Sequence, residues 1–181
     1  MFKNFKESAK ILRKTRVLCA SAVLAALFVA LYALKLQLTP QLRITFTFIP
    51  IAVAGWLFGP VPAMLVGAVG DIIGALLFPQ GPYFPGFTIS TMLSGLIFGL
   101  FLYNKENSTL IIRISLSKFL VSILANVLLN SLWFSIITNN GYVFHLIRHF
   151  IKNIAVFPIE VILLLIVLKF LSKHGIKNMY K

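Results

Sequence analysis

The chain has 181 residues, of which 59% are hydrophobic, and it carries 17 Lys and Arg against four Asp and Glu. Its mean hydropathy of +0.95 excludes an ordinary soluble domain and predicts an integral membrane protein. The net charge of +13 favours contacts with anionic lipid over nucleic acid, because the basic residues cluster at the ends of apolar segments.

Six apolar segments follow one another along the chain. Since a membrane helix needs about 20 apolar residues, the pattern predicts spans at 17–36, 45–58, 61–78, 88–103, 116–138 and 152–171. The second span is short and is compatible with a membrane only if protein surrounds its ends. We expect one all-α membrane domain over residues 1–181, with a basic N-terminal segment (1–16) and a basic tail (172–181).

The first span carries Ala22, Ala26 and Ala30 at four-residue spacing. Small residues at this spacing let two helix backbones approach closely in lipid. The partner helix is either another span of this chain or a separate protein, and the spacing leaves both open. Cys19, the single cysteine, excludes an intramolecular disulfide, and we expect its thiol to be packed in the core.

The distribution of basic residues predicts the orientation of the six spans. All but four of the 17 Lys and Arg fall on one side of the predicted membrane, and the positive-inside rule places that side, with both termini, in the cytoplasm. Lys118 is expected to extend to the inner interface. The basic residues left on the outer side are Lys35, Arg43, Arg148 and Lys152.

Asp71 and Glu160 lie inside predicted spans, about 12 Å from their outer ends. Carboxylates at such depth usually face a cavity or a partner, although each could be a hydrogen-bonded packing residue. Gly67, Gly70 and Gly74 surround Asp71 and permit either close helix packing or close approach of a ligand. A carboxylate can accept a parallel pair of N–H bonds, and the outer cations can meet an anionic tail. We therefore expect a pocket for an elongated anion with an amidine-like head.

The uncharged stretch FPQGPYFPGFT (78–88) connects the third and fourth spans. Its prolines restrict the backbone, and its aromatic rings can stack on a flat ligand or exclude water. A stiff cover loses less entropy on closing than a flexible one. The candidate contact residues in this stretch are Pro82, Tyr83, Phe84 and Pro85.

Further candidate site residues lie in the last two spans. Asn126, Asn130 and Trp133 form one helical stripe that could bind a ring, or could hydrogen-bond to a neighbouring span. Trp56, in contrast, is expected to be an interfacial anchor. His145 and His149 are placed on a possible short outer helix as a polar lining of the mouth.

The sequence contains neither a phosphate-binding loop nor an H-E-x-x-H motif, so we expect no enzyme, no cofactor and no nucleotide site in this chain. Arg43, Arg148 and Lys152 remain as cations for an anionic tail. An intramembrane enzyme and a structural membrane subunit are kept as alternatives from other functional classes.

The small six-span pattern, the alanine-spaced first helix and the Gly-Asp third span resemble the substrate-binding S components of energy-coupling factor (ECF) vitamin transporters. The stretches RITFTFIPIAVAGWLFGP (43–60) and GDIIGALLFPQGPYFPGFT (70–88) are most similar to the folate-specific S component. An S component for another vitamin or a heterocyclic precursor is the alternative within the class.

This resemblance implies a high-affinity binding protein of the bacterial cytoplasmic membrane that has no energy source of its own. It implies partners: a membrane coupling protein, which would dock on Ala22, Ala26 and Ala30, and two cytoplasmic ATPases. It also implies that the S component topples in the membrane to deliver its vitamin. Asp71 would then bind the pterin head of folate, and the outer cations would bind the glutamate carboxylates.

Overall fold

A computed structural model describes residues 2–34, 36–39, 42–79, 83–103, 109–138, 141–174 and 176, and it is almost entirely helical. The helices are α1 (Phe2–Ile11), α2 (Thr15–Ala33), α3 (Phe48–Phe58), α4 (Pro60–Leu77), α5 (Pro85–Leu102), α6 (Leu110–Val121), a π-helical segment (Ser122–Leu129), α7 (Asn130–Thr138) and α8 (Tyr142–Lys173). The predicted all-helical class is confirmed, with one addition. Between α2 and α3 the strands β1 (Leu36–Thr39) and β2 (Leu42–Ile44) form an antiparallel hairpin, which the sequence pattern did not predict.

In the described part of the chain, five helical stretches are long and apolar enough to cross a membrane, namely α2, α4, α5, the continuous stretch Leu110–Thr138, and α8. The remaining apolar helix, α3, has 11 residues and is therefore about 16 Å long. Nearly all of α3 is buried against other helices, which is the condition that such a short span requires. Trp56 lies in its last turn and is only 1% exposed, so the prediction of an interfacial anchor is wrong.

The helix α2 has one buried and one exposed face. Val17, Ser21, Ala25 and Phe28 pack into the bundle. On the opposite face Ala22, Ala26 and Ala30 are all exposed, so they do not pack inside this chain. Cys19 is exposed as well, which makes the prediction of a core thiol wrong.

Close packing of α2 against α4 depends on two glycines. A Cβ added to Gly70 would lie 2.6 Å from the ring of Phe28, and one added to Gly74 would lie 2.8 Å from the ring of Tyr32. Of the two uses that the sequence left open for these glycines, the structure shows helix packing. The result is that two aromatic rings of α2 lie against α4 within one turn of Asp71.

The basic N-terminal segment contains a helix, α1, that is fixed to the turn between α3 and α4. The Ser8 hydroxyl donates to the carbonyl of Phe58 (2.9 Å) and accepts from the backbone N–H of Val61 (3.1 Å). Gly59 between them has a φ of 89°, a conformation that favours glycine. Because the Ser8 side chain is completely buried, α1 is part of the packed structure.

The last helix is longer than predicted. α8 has 32 residues, about 48 Å, and runs without interruption through Pro158. The basic and histidine residues between 145 and 152 lower the local hydropathy, which is why the sequence placed the start of this span at 152. His145 and His149 therefore lie on α8 itself, and the prediction of a separate outer helix is wrong.

Candidate functional site

A cavity of about 400 Å³ lies among the helices, a size typical of small-molecule sites. Its wall is formed by α2, the turn at 45–47, α4, α5, the stretch 126–137 and α8. Aromatic rings provide much of the apolar surface, and they come from Phe28, Tyr32, Tyr83, Phe84, Phe87 and Phe134. Flat apolar walls with a few fixed polar groups suit a planar heterocyclic ligand.

Asp71 lies in this wall on α4 and is only 6% exposed. Its Oδ2 accepts a hydrogen bond from the Thr88 hydroxyl at 2.8 Å, and the same hydroxyl lies 2.8 Å from the hydroxyl of Tyr83. Because Thr88 gives its hydrogen to the carboxylate, Tyr83 must be the donor to Thr88. A hydroxyl chain therefore connects the carboxylate on α4 with the residues that enter α5.

Three aromatic residues just before and within the first turn of α5 line the cavity, and we call Tyr83, Phe84 and Phe87 the aromatic cover. Phe84 contacts Phe87 edge to face, with ring centroids 6.2 Å apart, and Phe87 contacts Phe134 at 5.2 Å. These contacts fix the rings relative to α7.

The other two residues predicted from this stretch have different positions. Pro85 is exposed and begins α5, and it is not among the lining residues. Pro82 lies outside the described residues.

The asparagine stripe reaches the cavity, but its aromatic member does not. Asn126 and Asn130 line the wall, followed by Phe134 rather than Trp133. Trp133 lies behind the wall, where its indole N–H donates to the hydroxyl of Ser90 at 3.0 Å and its ring packs on Phe84. The predicted stripe assumed an α-helix throughout. Residues 122–129 instead form a π-helix, which changes the helical phase of Asn126 relative to α7.

Asn126 serves both of the roles that the sequence left open. Its side-chain N–H donates to Asn153 on α8 at 3.2 Å, and it also lines the cavity. Asn153 in turn donates to the backbone carbonyl of His149 at 2.8 Å. Asn130 differs, because its buried side-chain oxygen has no hydrogen-bond partner among the described residues. This oxygen is therefore a candidate acceptor for a ligand.

One face of α8 contributes the basic part of the wall. His149, Lys152 and Asn153 line the cavity, followed along the same face by Val156 and Glu160. Of the other two cations predicted for an anionic tail, Arg148 is exposed and holds its guanidinium 5.1 Å from the ring centroid of Phe144, away from the lining residues. Arg43 belongs to β2, and its side chain lies outside the described residues.

Glu160 also lines the cavity, and it is paired with a lysine that does not. The Lys118 Nζ lies 3.0 Å from Oε2 of Glu160 and 4.2 Å from the ring centroid of Phe48. Lys118 is 1% exposed, so the prediction that it extends to the interface is wrong. The ion pair joins α6 and α8 inside the bundle.

Several wall residues were not predicted from the sequence. Phe28 and Tyr32 could not be distinguished from ordinary core residues, and Lys118 could not be paired with Glu160 across 42 positions of sequence. Thr88 could have been predicted, since it is the last residue of the stretch 78–88 from which the cover was predicted. Among the described residues no cluster of three His, Cys, Asp or Glu could hold a metal ion.

A helical membrane protein with a cavity of this kind, walled by rings, amides and carboxylates, can bind a planar solute inside its helix bundle. Comparison with known families agrees. A model of the family described as "ECF-type riboflavin transporter, S component" matches residues 12–173. The chain therefore belongs to the S components of ECF-type transporters, the family that its sequence resembles, and it is a transporter subunit rather than an enzyme.

Among individual proteins, the chain is similar to the folate transporter FolT of Clostridium novyi, with 37% identity over 140 residues, 77% of this chain and 80% of the relative. FolT of Leuconostoc mesenteroides is 33% identical over 147 residues, 77% of this chain and 79% of that protein. A crystal structure of FolT bound with folic acid has a TM-score of 0.76 and 37% identity, covering 84% of this chain and 92% of the other.

Proposed function

We propose that this chain is the folate-binding S component of an ECF-type vitamin importer. The observation that carries the proposal is the similarity to a folic-acid-bound FolT structure over 84% of the chain at 37% identity. The cavity supports it independently, because its aromatic rings, carboxylates and Lys152 match the flat head, the N–H groups and the anionic tail of folate.

In this proposal Asp71 accepts hydrogen bonds from the pterin N–H groups, while the aromatic cover and Asn130 contact the ring system. Lys152 is the preferred partner of the glutamate carboxylates because it lies in the wall. Arg43 and Arg148 remain candidates for the same role nearer the mouth. A carboxylate facing an N–H pair and a cation facing carboxylates both form charge-assisted hydrogen bonds, which are the stronger kind.

We further propose that the chain forms one domain of six spans in the bacterial cytoplasmic membrane, with both termini in the cytoplasm and the cavity opening outward. Its partners are then a membrane coupling protein and two cytoplasmic ATPases. Ala22, Ala26 and Ala30 are the proposed docking face, since they are exposed at a spacing that permits close helix packing.

Equilibrium binding to the purified, detergent-solubilised chain tests the substrate. Folate, riboflavin, biotin, thiamine and pantothenate are titrated in parallel, and folate is expected to bind with a dissociation constant below micromolar. Riboflavin is the second candidate, because the matching family model is named for it. Tight binding of riboflavin without folate binding would replace the proposed substrate.

Uptake by cells that contain the coupling protein and ATPases tests the docking face. Ala22→Trp and Ala26→Trp should bind folate normally but fail to support uptake, since a bulky ring keeps the helices apart. Ile162→Trp is the control, because Ile162 is an exposed residue of a different helix, α8, outside the alanine stripe. Loss of binding in the alanine variants would mean that the stripe supports the fold of this chain instead.

A further inference from the structure

We propose that Lys118 is a positioning residue of the binding site, which holds the Glu160 carboxylate as a second acceptor for the N–H groups of the ligand. The inference rests on the proposed function, since it concerns how the same cavity binds an elongated ligand. It assigns a role to a lysine that does not reach the cavity.

The two members of the ion pair have different positions relative to the cavity. Glu160 lines the wall, whereas Lys118 lies behind it and is 1% exposed. Lys118 approaches Oε2 of Glu160, and its other side faces the ring of Phe48 at the start of α3. In the described part of the chain Lys118 is the polar partner of Glu160, so the remaining oxygen, Oε1, can accept from a ligand.

Three elements fix this arrangement, because Lys118, Glu160 and Phe48 come from α6, α8 and α3. A glutamate side chain in an open cavity would sample several rotamers, and a ligand that used it would have to order it. Contact with a buried cation removes that freedom before binding, which improves affinity without any new contact.

Stability alone is a weak explanation for the pair. Replacing a buried ion pair by apolar side chains of similar volume is often neutral or stabilising, because both charges lose their hydration. A role in the cavity explains why a charged pair occupies this place in the bundle. The negative member is presented to the ligand, and the positive member is kept away from it.

The pair also gives the cavity a direction. Lys152 and Glu160 are eight residues apart on α8, about 12 Å along the helix, and both line the cavity. The wall therefore runs from a cation to a carboxylate. An elongated ligand with an anionic end and an N–H-rich end fits this wall in one orientation only. If Glu160 did not pair with Lys118, the lysine cation would attract the anionic end of the ligand to the carboxylate end of the wall.

Folate titration of purified variants tests the inference. Lys118→Met and Glu160→Gln should each weaken binding by at least tenfold relative to wild type. The double variant Lys118→Met with Glu160→Gln should bind no more weakly than Glu160→Gln alone, because the lysine acts through the carboxylate. This double variant has no unpaired buried charge, so it remains a valid test if either single variant fails to fold.

The exchange of charges separates positioning from a purely structural role. Lys118→Glu combined with Glu160→Lys keeps an ion pair but presents a cation to the cavity. We expect this variant to bind folate at least tenfold more weakly than wild type, at a melting temperature closer to wild type than that of Glu160→Gln. Recovery of wild-type binding by the exchange, or wild-type binding by the neutral double variant, would overturn the inference.

Wild-type binding tests the proposed function separately. If the wild-type chain binds riboflavin and not folate, the substrate proposal fails. The same variants are then titrated with riboflavin to test the positioning role. The same tenfold losses are expected then, since riboflavin also has a ring N–H group. Unchanged riboflavin binding in the variants would overturn the positioning role on its own.

Discussion

Asp71 and Glu160 are two carboxylates in the wall of one cavity, and they are held in different ways. They are similarly buried, with 6% and 8% of their surface exposed. Asp71 is hydrogen-bonded through Thr88 to Tyr83 of the aromatic cover, whereas Glu160 is bound to the buried cation of Lys118. The first carboxylate is thus connected to the residues that cover the ligand, and the second to the fixed core of the bundle.

The difference shows that burial alone does not define what a membrane carboxylate contributes. Removing only the carboxylate of a buried ion pair is strongly destabilising, because it leaves the lysine as an uncompensated buried charge. The hydrogen bond that Thr88 donates to Asp71 can also be accepted by an amide oxygen, so Asp71→Asn should affect the ligand more than the protein. Each of the following predictions tests this distinction.

The largest effect is expected on the stability of the ligand-free protein. Glu160→Gln leaves Lys118 buried without its counter-ion and should destabilise the chain by about 3–5 kcal/mol. Asp71→Asn should leave the stability unchanged or raise it, because it removes a costly charge from the membrane interior. Thermal unfolding of both variants in the same detergent gives the comparison, and equal losses would show that the two carboxylates do not differ in this respect.

The next effect is on affinity. Asp71→Asn replaces an acceptor oxygen by a donor that faces the pterin N–H groups, so folate should bind more weakly by roughly 2–4 kcal/mol, about 30- to 1000-fold. Isothermal titration with folate and with pteroate, which lacks the glutamate, should show the same loss for both ligands. Wild-type affinity of Asp71→Asn for both ligands would show that Asp71 has a structural role and does not bind the ligand.

Lys152 is proposed to bind the other end of the ligand, so its replacement should distinguish folate from pteroate, whereas Asp71→Asn should not. Lys152→Met should weaken folate binding by about 1.5–3 kcal/mol, the value of a hydrogen bond to a charged group, and should leave pteroate binding nearly unchanged. Lys169→Met is the matched control, since Lys169 is an exposed lysine of the same helix outside the wall. A larger loss in Arg148→Met than in Lys152→Met would move the tail site to Arg148.

The smallest effect concerns the hydroxyl chain. Thr88→Val keeps the shape of the side chain and removes the hydrogen bond to Asp71, so folate affinity should fall by about 0.5–1.5 kcal/mol. Tyr83→Phe should lower folate affinity by less than Thr88→Val does. The double variant should lower it by less than the sum of the two single losses, because both hydroxyl groups act through one hydrogen-bonded chain. Thr109→Val, which removes a hydroxyl outside the cavity wall, is the control. Strict additivity would indicate that the chain does not act as a unit.

The two carboxylates also show how far the sequence can be interpreted. Asp71, Asn126 and Asn130 were predicted as cavity residues, because polar groups inside apolar spans are costly and therefore informative. The exposed stripe of Ala22, Ala26 and Ala30 was visible from its spacing. The helical class and the approximate positions of the spans followed from hydropathy alone.

The features that were missed depend on tertiary contacts. Lys118 looked like an interfacial lysine because its position near a span end fits that role, and only the packing of α6 against α8 brings it to Glu160. Trp56 looked like an interfacial anchor, but the packing of α3 among the other helices buries its side chain in the core. The π-helical segment at 122–129 changes the helical phase between Asn126 and the residues of α7, so Phe134 rather than Trp133 shares the wall with Asn126.

Cys19 gives the first transmembrane helix a use in the laboratory. It is the single cysteine of the chain, it is exposed, and it lies three residues before Ala22, within about 6 Å of the start of α2. A maleimide dye or a photo-crosslinker would therefore label one position, beside the alanine stripe, without any engineered substitution. Quenching of that dye or capture of a neighbouring chain would then report directly, in the wild-type sequence, when this side of the protein becomes occupied.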